Sequence, residues 1–397
     1  MKKNILFILN NLNCGGAEKS LISILNSIDY GKYNVDLFLF KHEGIFLSKV
    51  PDEVNLLPEP VNYQYFDMPI KKSISELVKK GKLRVALNRI RLGYFAKTEK
   101  NGSVIEQKIW RYLSNSLEKL HKEYDVAIGY QEKSPIYFCI DLVNAKKKLG
   151  WIHTDYRKLG VNQYIDQRYF QHLDYLITVS DELENQIKEI FPEHGEKMRC
   201  IHNIISTSMI RSLSLEKANF MDEYNNQISI VSVGRLAKEK GLDLSLDAIE
   251  ILVKKGYVVT WFLIGEGNMR GELEKRIKEK NLDNNVVLLG VKDNPYPYIK
   301  HSDIYIQTSR FEGKSIAIEE AKVLAKPILL TNFSTAGNHI IHGETGLISH
   351  MDPISIAENL EKLIVNRDLI NSFSENLQER NYGTEDEINK LYELIEA

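Results

Sequence analysis

Two glutamates, a lysine and an arginine carry the first chemical signal. Glu312 and Glu320 enclose seven residues in the run Glu-Gly-Lys-Ser-Ile-Ala-Ile-Glu-Glu. Upstream, Arg235 follows Ser232-Val233-Gly234, and Lys240 precedes Gly241. A carboxylate accepts two hydrogen bonds from adjacent hydroxyls, so either glutamate suits a sugar or ribose diol. A guanidinium gives a planar fork and an ammonium a mobile point charge, so Arg235 and Lys240 together suit a diphosphate. Free amides from Gly313 through Lys314 and Ser315 to Ile316 suit phosphate oxygens at a helix start, with Ser315 a candidate N-cap. Blander readings compete. Arg235 to Lys240 can be a solvated turn, and the glutamates one buried capping carboxylate and one surface carboxylate. Glu319 is expected to turn elsewhere on the helix.

Two further sites sit after strand-like runs in the first half. Asn10 to Glu18 contains Gly15-Gly16, where a backbone can approach a ligand closely at the start of a helix. It matches neither GxxxxGK[ST] nor GxGxxG, and a plain tight turn is the alternative. His153 stands in Trp151-Ile152-His153-Thr154-Asp155. A lone histidine is commonly structural. Its expected place at a strand's C-terminal end, toward a crevice between two domains, favours a binding role. The three cysteines, Cys14, Cys139 and Cys200, form no ligand spacing, so neither a zinc site nor a disulfide framework is expected. A reducing, cytoplasmic compartment follows. The start MKKNILFILNNLN reads as a first strand rather than a signal peptide, because its apolar run is too short.

These residues need a scaffold, and the chain alternates short apolar runs with longer helical patterns. The strand-like runs are Ile5–Leu9, Val35–Phe40, Asp125–Gly129, Leu149–Ile152 and Tyr175–Val179 in the first half. In the second they are Ile228–Val233, Val258–Ile264, Val286–Leu289, Ile304–Gln307 and Pro327–Thr331. Continuous apolar character suits strands of a parallel sheet buried on both faces. Helices are predicted over Leu242–Lys255 and Ser315–Leu324. Strand–helix repetition over 397 residues implies two doubly wound α/β domains. The polar connection is expected near 203–225, giving domains 1–205 and 206–380 and a terminal helix within 381–397.

The formal net charge is −2, which gives no global reason for nucleic-acid binding. Locally it is uneven: Pro69–Lys122 carries +10 and the remainder −12. Tyr94, Phe95, Trp110 and Tyr112 lie among the basic residues. Such a segment suits an anionic membrane surface, or is a solvated helical insertion.

Taken together, the motifs resemble the retaining glycosyltransferases of family 4, which have the GT-B fold. The resemblance runs over nearly the whole chain and is strongest from Ile228 to Ile348. It rests on Gly15-Gly16-Ala17-Glu18, VGRLAKEKGLD (Val233–Asp243), LIGEGNMRGELE (Leu263–Glu274), the stretch Leu288–Ala321 and HGETGLI (His342–Ile348). Glu312 and Glu320 are similar to the family's E-x7-E pair. The resemblance implies two Rossmann-like, doubly wound parallel-sheet domains facing an interdomain cleft. It also implies a terminal helix crossing back to the first domain.

The same resemblance implies the roles. Arg235 and Lys240 would hold the donor diphosphate, Glu320 the ribose and Glu312 the transferred sugar. Val291 would read the base, and Gly313, Lys314 and Ser315 would contact sugar and phosphate. Gly15 and Gly16 would approach donor or acceptor, and His153 would touch the donor sugar. Lys314 departs from the family's usual Gly-Phe-Gly, Asn338 replaces a common acidic residue, and Ser206 replaces a common Asp. No Asp-x-Asp occurs, so no metal and no cofactor is expected. Cationic side chains and helix amides would stabilise the leaving diphosphate. The expected activity is retaining transfer from a nucleotide-diphosphate sugar, UDP-linked by expectation. The acceptor would be a glycan, lipid-diphosphate-linked, in bacterial cell-surface polysaccharide (capsule-type) synthesis at the inner membrane face. Alternatives are a non-catalytic GT-B subunit, transfer to a protein, and a nicotinamide oxidoreductase, the last disfavoured by the missing GxGxxG.

Overall fold

The computed structural model describes residues 2–13, 15–99, 101–218 and 227–397, with side chains for all of these except 95–98. Cys14, part of the expected connection (219–226), Lys100 and the Phe95 side chain lie outside the described residues. The chain divides into two units. Met1–Asn13, Ala17–Asn203 and Asp386–Ala397 form the first, and Cys14–Gly16 and Ile204–Glu385 the second.

The first unit holds a seven-stranded sheet in the order β3-β2-β1-β4-β5-β6-β7, parallel at every pairing. The strands are β1 (Lys3–Leu9), β2 (Tyr33–Leu39), β3 (Asn55–Leu56), β4 (Glu123–Gly129), β5 (Asn144–Ile152), β6 (Tyr175–Thr178) and β7 (Met198–Cys200). Ile5 through Leu9 are fully buried, as a central strand covered on both faces requires. Helix α1 (Gly16–Ser27) follows β1 directly. The basic segment supplies three helices, α2 (Ile70–Lys79), α3 (Leu83–Thr98) and α4 (Gly102–Ser114).

The second unit holds a six-stranded parallel sheet in the order β10-β9-β8-β11-β12-β13. Its strands are β8 (Ile228–Val233), β9 (Val259–Ile264), β10 (Val286–Gly290), β11 (Ile304–Gln307), β12 (Ile328–Thr331) and β13 (Gly346–Ser349). Adjacent residues go to opposite faces: Ile230, Trp261 and Ile304 enter one core, and Val231, Phe262 and Tyr305 another. The two-residue period therefore fills both faces, and the strands read as mostly apolar runs. The helices that matter for the site are α5 (Leu242–Lys254) and α6 (Ile316–Val323).

Strands β3, β7 and β13 do not appear among the sequence-predicted runs. All three are edge strands of two to four residues, too short to show a period. No helix among the described residues is long and apolar enough to cross a membrane.

A C-terminal helix (Glu387–Glu396) belongs to the first unit. It buries Leu391, Leu394 and Ile395 there. Tyr392 stacks on Tyr33 at 5.2 Å, and its hydroxyl accepts the Asp29 amide at 2.8 Å. Lys3 Nζ donates to the Ile395 carbonyl at 3.0 Å and pairs with Glu396 at 2.8 Å. Leu391 is fully buried, so Leu391→Ala in the full chain should cost about 2–5 kcal/mol in urea unfolding. A loss below about 0.5 kcal/mol, the range of an ordinary surface change, would contradict this packing.

Candidate active site

In open parallel sheets, ligands bind beyond the carboxyl ends of strands where the strand order reverses. In the second unit that point lies between β8 and β11. Gly234 and Arg235 follow β8, and Thr308 to Ser315 follow β11. A small cleft there is lined by Gly234, Arg235, Lys240, Gln307 and Thr308.

Lys240 and Glu312 meet at this point. Lys240 Nζ donates to Glu312 Oε1 at 2.6 Å, and both side chains are mostly buried. Gln307 Nε2 donates to the same oxygen at 2.6 Å, and the Ser309 hydroxyl also donates to it. Three donors on one oxygen fix the carboxylate and neutralise much of its charge. Thr335 Oγ1 donates to the Glu312 carbonyl at 3.1 Å, which fixes the backbone.

Close backbone contact makes this meeting possible. Gly241 has φ +60°, and a Cβ there would lie 2.0 Å from the Thr308 carbonyl oxygen. Only glycine fits, so the turn that carries Lys240 lies directly against the end of β11. Thr308 Oγ1 donates to the Gly241 carbonyl at 2.9 Å and meets Ser245 Oγ at 2.7 Å. Arg310 binds Asp243 in a two-pronged pair at 2.8 and 2.7 Å. Burial raises the Asp243 pKa, but Arg310 outweighs it and holds the carboxylate below its ordinary range.

The other expected residues of this unit lie in the turns after β8 and β10, in the loop into α6 and on α6 itself. Arg235 is largely exposed and pairs with Glu239 at 3.1 Å, so its guanidinium reaches solvent. Val291 directly follows β10, and Gly313, Lys314 and Ser315 form the loop into α6. Ser315 occupies the N-cap position of α6 but makes no side-chain capping bond. Its hydroxyl instead accepts from Gln307 Nε2 at 3.1 Å. Glu320 lies one turn into α6, almost fully buried, and accepts from the Tyr296 hydroxyl at 2.9 Å.

Glu319, expected to turn elsewhere on the helix, makes its own buried contacts. It is buried, and it pairs with Lys322 at 2.7 Å and His339 Nδ1 at 2.9 Å. Burial alone would raise its pKa, but His339 and Lys322 bring it down to about 2.

In the first unit, His153 follows β5 and packs its ring against Tyr130 and Trp151. The His153 and Thr154 amides donate to Glu132 Oε1 at 2.6 and 2.7 Å. Burial pushes the Glu132 pKa up. His153 Nε2 is buried without a hydrogen-bond partner among the described residues. Gly16 opens α1, and beyond its own helix backbone no described atom lies within 4 Å of where its Cβ would stand. The space beside this backbone is therefore open.

Sequence reading missed Gln307, Ser309 and Glu132. The available signal was a polar residue ending an apolar strand, as in Ile-Tyr-Ile-Gln of β11.

Residues 216–380 match the family model described as Glycosyl transferases group 1. That match lies within the second unit, and the two parallel-sheet units have the GT-B fold. The capsular polysaccharide biosynthesis glycosyltransferase CapM of Staphylococcus aureus is 31% identical, over 39% of this chain and 42% of its own. An N-acetylgalactosamine-N,N'-diacetylbacillosaminyl-diphospho-undecaprenol 4-alpha-N-acetylgalactosaminyltransferase of Campylobacter jejuni is 28% identical, over 48% of this chain and 51% of its own. The matches span between a third and a half of the length of the first curated relatives. Among solved structures, Anabaena Alr3699/HepE in complex with UDP-glucose has TM-score 0.69 and 15% identity, covering 99% of both chains.

Burial lowers the His153 pKa to about 3. Below its ordinary value of about 6.5 the unfolded chain takes up the proton first. The contribution of this ring to stability is therefore complete above about pH 6.5 and is lost as pH falls toward 3. The His153 ring should show no NMR titration step between about pH 5 and 8, the window of an ordinary histidine. An inflection near 6.5 would contradict its burial.

Proposed function

We propose that the protein is a retaining, metal-independent glycosyltransferase. It moves a glycosyl group from a UDP-sugar to a lipid-diphosphate-linked glycan during bacterial cell-surface polysaccharide synthesis, at the inner membrane face. Support comes first from the Lys240–Glu312 pair at the reversal point of the second sheet, beside the exposed Arg235. The solved relative with UDP-glucose supports the donor class. The printed activity of the Campylobacter relative, on a diphospho-undecaprenol sugar, supports the acceptor class.

The chemistry follows from charge. Cleaving the sugar–phosphate bond places negative charge on the departing diphosphate and oxocarbenium character on the sugar. Arg235 and Lys240 stabilise the first change without a metal. Glu320 holds the ribose hydroxyls from α6, and the backbone at Val291 reads the base. Gly313, Lys314 and Ser315 orient the sugar and phosphate. Gly15 and Gly16 admit the substrate to the backbone, and neutral His153 offers the sugar a hydrogen bond.

Glu312 is a poor covalent nucleophile. Its Oε1 is occupied by an ammonium, an amide and a hydroxyl. Front-face displacement is favoured, with the departing phosphate oxygen taking the acceptor proton. The sugar then keeps its anomeric configuration.

Arg235→Ala and Glu320→Ala should each lower transfer from a UDP-sugar by at least about a hundredfold, the scale of losing one charge-stabilising contact. Melting curves would check that the fold survives. Near-wild-type transfer by either variant would remove these assignments. Transfer should also persist in EDTA; complete loss restored by Mg²⁺ or Mn²⁺ would contradict the metal-independent mechanism.

A further inference from the structure

Helix α3 breaks the rule for a surface helix. Its inner side is buried as expected, through Val85, Ala86, Asn88, Arg89 and Leu92. Val85 and Ala86 pack with Tyr65 and Leu77 in a small core. Arg89 anchors the helix by donating to the carbonyls of Tyr65 and Met68, both at 2.9 Å. A water-facing outer side should then be polar. Instead Leu83, Leu87, Ile90 and Tyr94 are 64, 48, 47 and 67% exposed. Their spacing of four, three and four residues puts them on one ridge, about 16 Å long at 1.5 Å per residue. Ile70 extends it: its Cδ1 lies 2.4 Å from where a Cβ on Gly93 would stand. A contiguous exposed apolar surface of this kind marks an interaction site.

The charges around the ridge identify the partner. Ile70–Tyr94 contains eight Lys or Arg and one Glu, a net +7. Lys71, Lys72, Lys79, Arg84 and Arg91 are exposed, and none makes an ion pair among the described residues. A second copy would bring the same positive charge to the contact and be repelled. A bilayer with anionic headgroups satisfies both features. The apolar ridge enters the acyl boundary, and the flanking cations stay at the headgroups.

We propose that the outer face of α3, extended by Ile70, docks the protein on an anionic lipid bilayer. The proposal takes its purpose from the lipid-linked acceptor, but the docking itself needs no turnover and can be measured alone.

Full-length protein is floated with vesicles of phosphatidylcholine alone, or with added phosphatidylglycerol. The wild type should float with the phosphatidylglycerol vesicles and stay behind with phosphatidylcholine. The double variant Leu87→Ser/Ile90→Ser should lose at least about tenfold in binding. Arg84→Gln/Arg91→Gln should lose about as much, and salt should weaken wild-type binding. Both variants should keep wild-type melting curves and wild-type UDP-sugar hydrolysis.

Undiminished binding by the apolar variant would overturn the proposal. So would equal flotation with both vesicle types, or no flotation at all. A wild-type dimer that the same substitutions dissociate would reassign the face to a second copy. Flotation without any glycosyl transfer would remove the enzymatic reading and leave the docking face standing. Transfer without flotation would do the reverse.

Discussion

A buried ion pair between Lys240 and Glu312 is the constraint from which the site follows. Two opposite charges at 2.6 Å in a mostly buried place exist only where each is compensated. Gln307 and Ser309 complete that compensation on the carboxylate side. Gly241 completes it on the lysine side, since any side chain would push the turn away from Thr308. The parallel sheet supplies the rest. Among the described residues of this unit, the strand order reverses at the gap between β8 and β11, so loops from two strands diverge and leave room above the sheet.

Polar residues at that place divide into Arg235, which reaches solvent, and others that bond within the protein. Gln307, Ser309, Arg310 and Asp243 spend their hydrogen bonds inside the protein. Rigid support of this kind is what electrostatic catalysis requires, because donors that must reorganise during the reaction lose most of their advantage. Glu319, beside Glu320 on α6, does similar structural work. Its bonds to Lys322 and His339 tie α6 to the segment around His339.

Much of this was legible in the residues, for physical reasons. Strands β1, β8, β9 and β11 are covered on both faces and read as mostly apolar runs. Arg235, Lys240, Glu312 and Glu320 announced themselves by charge and spacing. What stayed hidden was contact between distant positions. Nothing in the order of residues says that Gln307 donates to Glu312, or that Glu132 collects the amides of His153 and Thr154. Ser315 sat at a helix start as expected, yet gave its hydroxyl to Gln307 rather than to the helix. Glu319 was expected only to turn elsewhere on the helix, and its buried partners Lys322 and His339 were not foreseen. The basic segment showed its charge in the sequence, but not that α3 leaves apolar side chains outside as well as inside.

The C-terminal helix has a consequence for how the molecule is made. Lys3 and Ile395 are bonded although 392 positions separate them. The strands of the first sheet precede the second unit in the chain, but one wall of their core follows it. The second unit has all of Ile204–Glu385 in hand before that wall appears. Closing so long a loop slows completion of the first unit. During synthesis the later-encoded domain can finish while the earlier one still exposes the apolar edge that Leu391 and Ile395 will cover. This reverses the usual amino-to-carboxyl order of domain maturation.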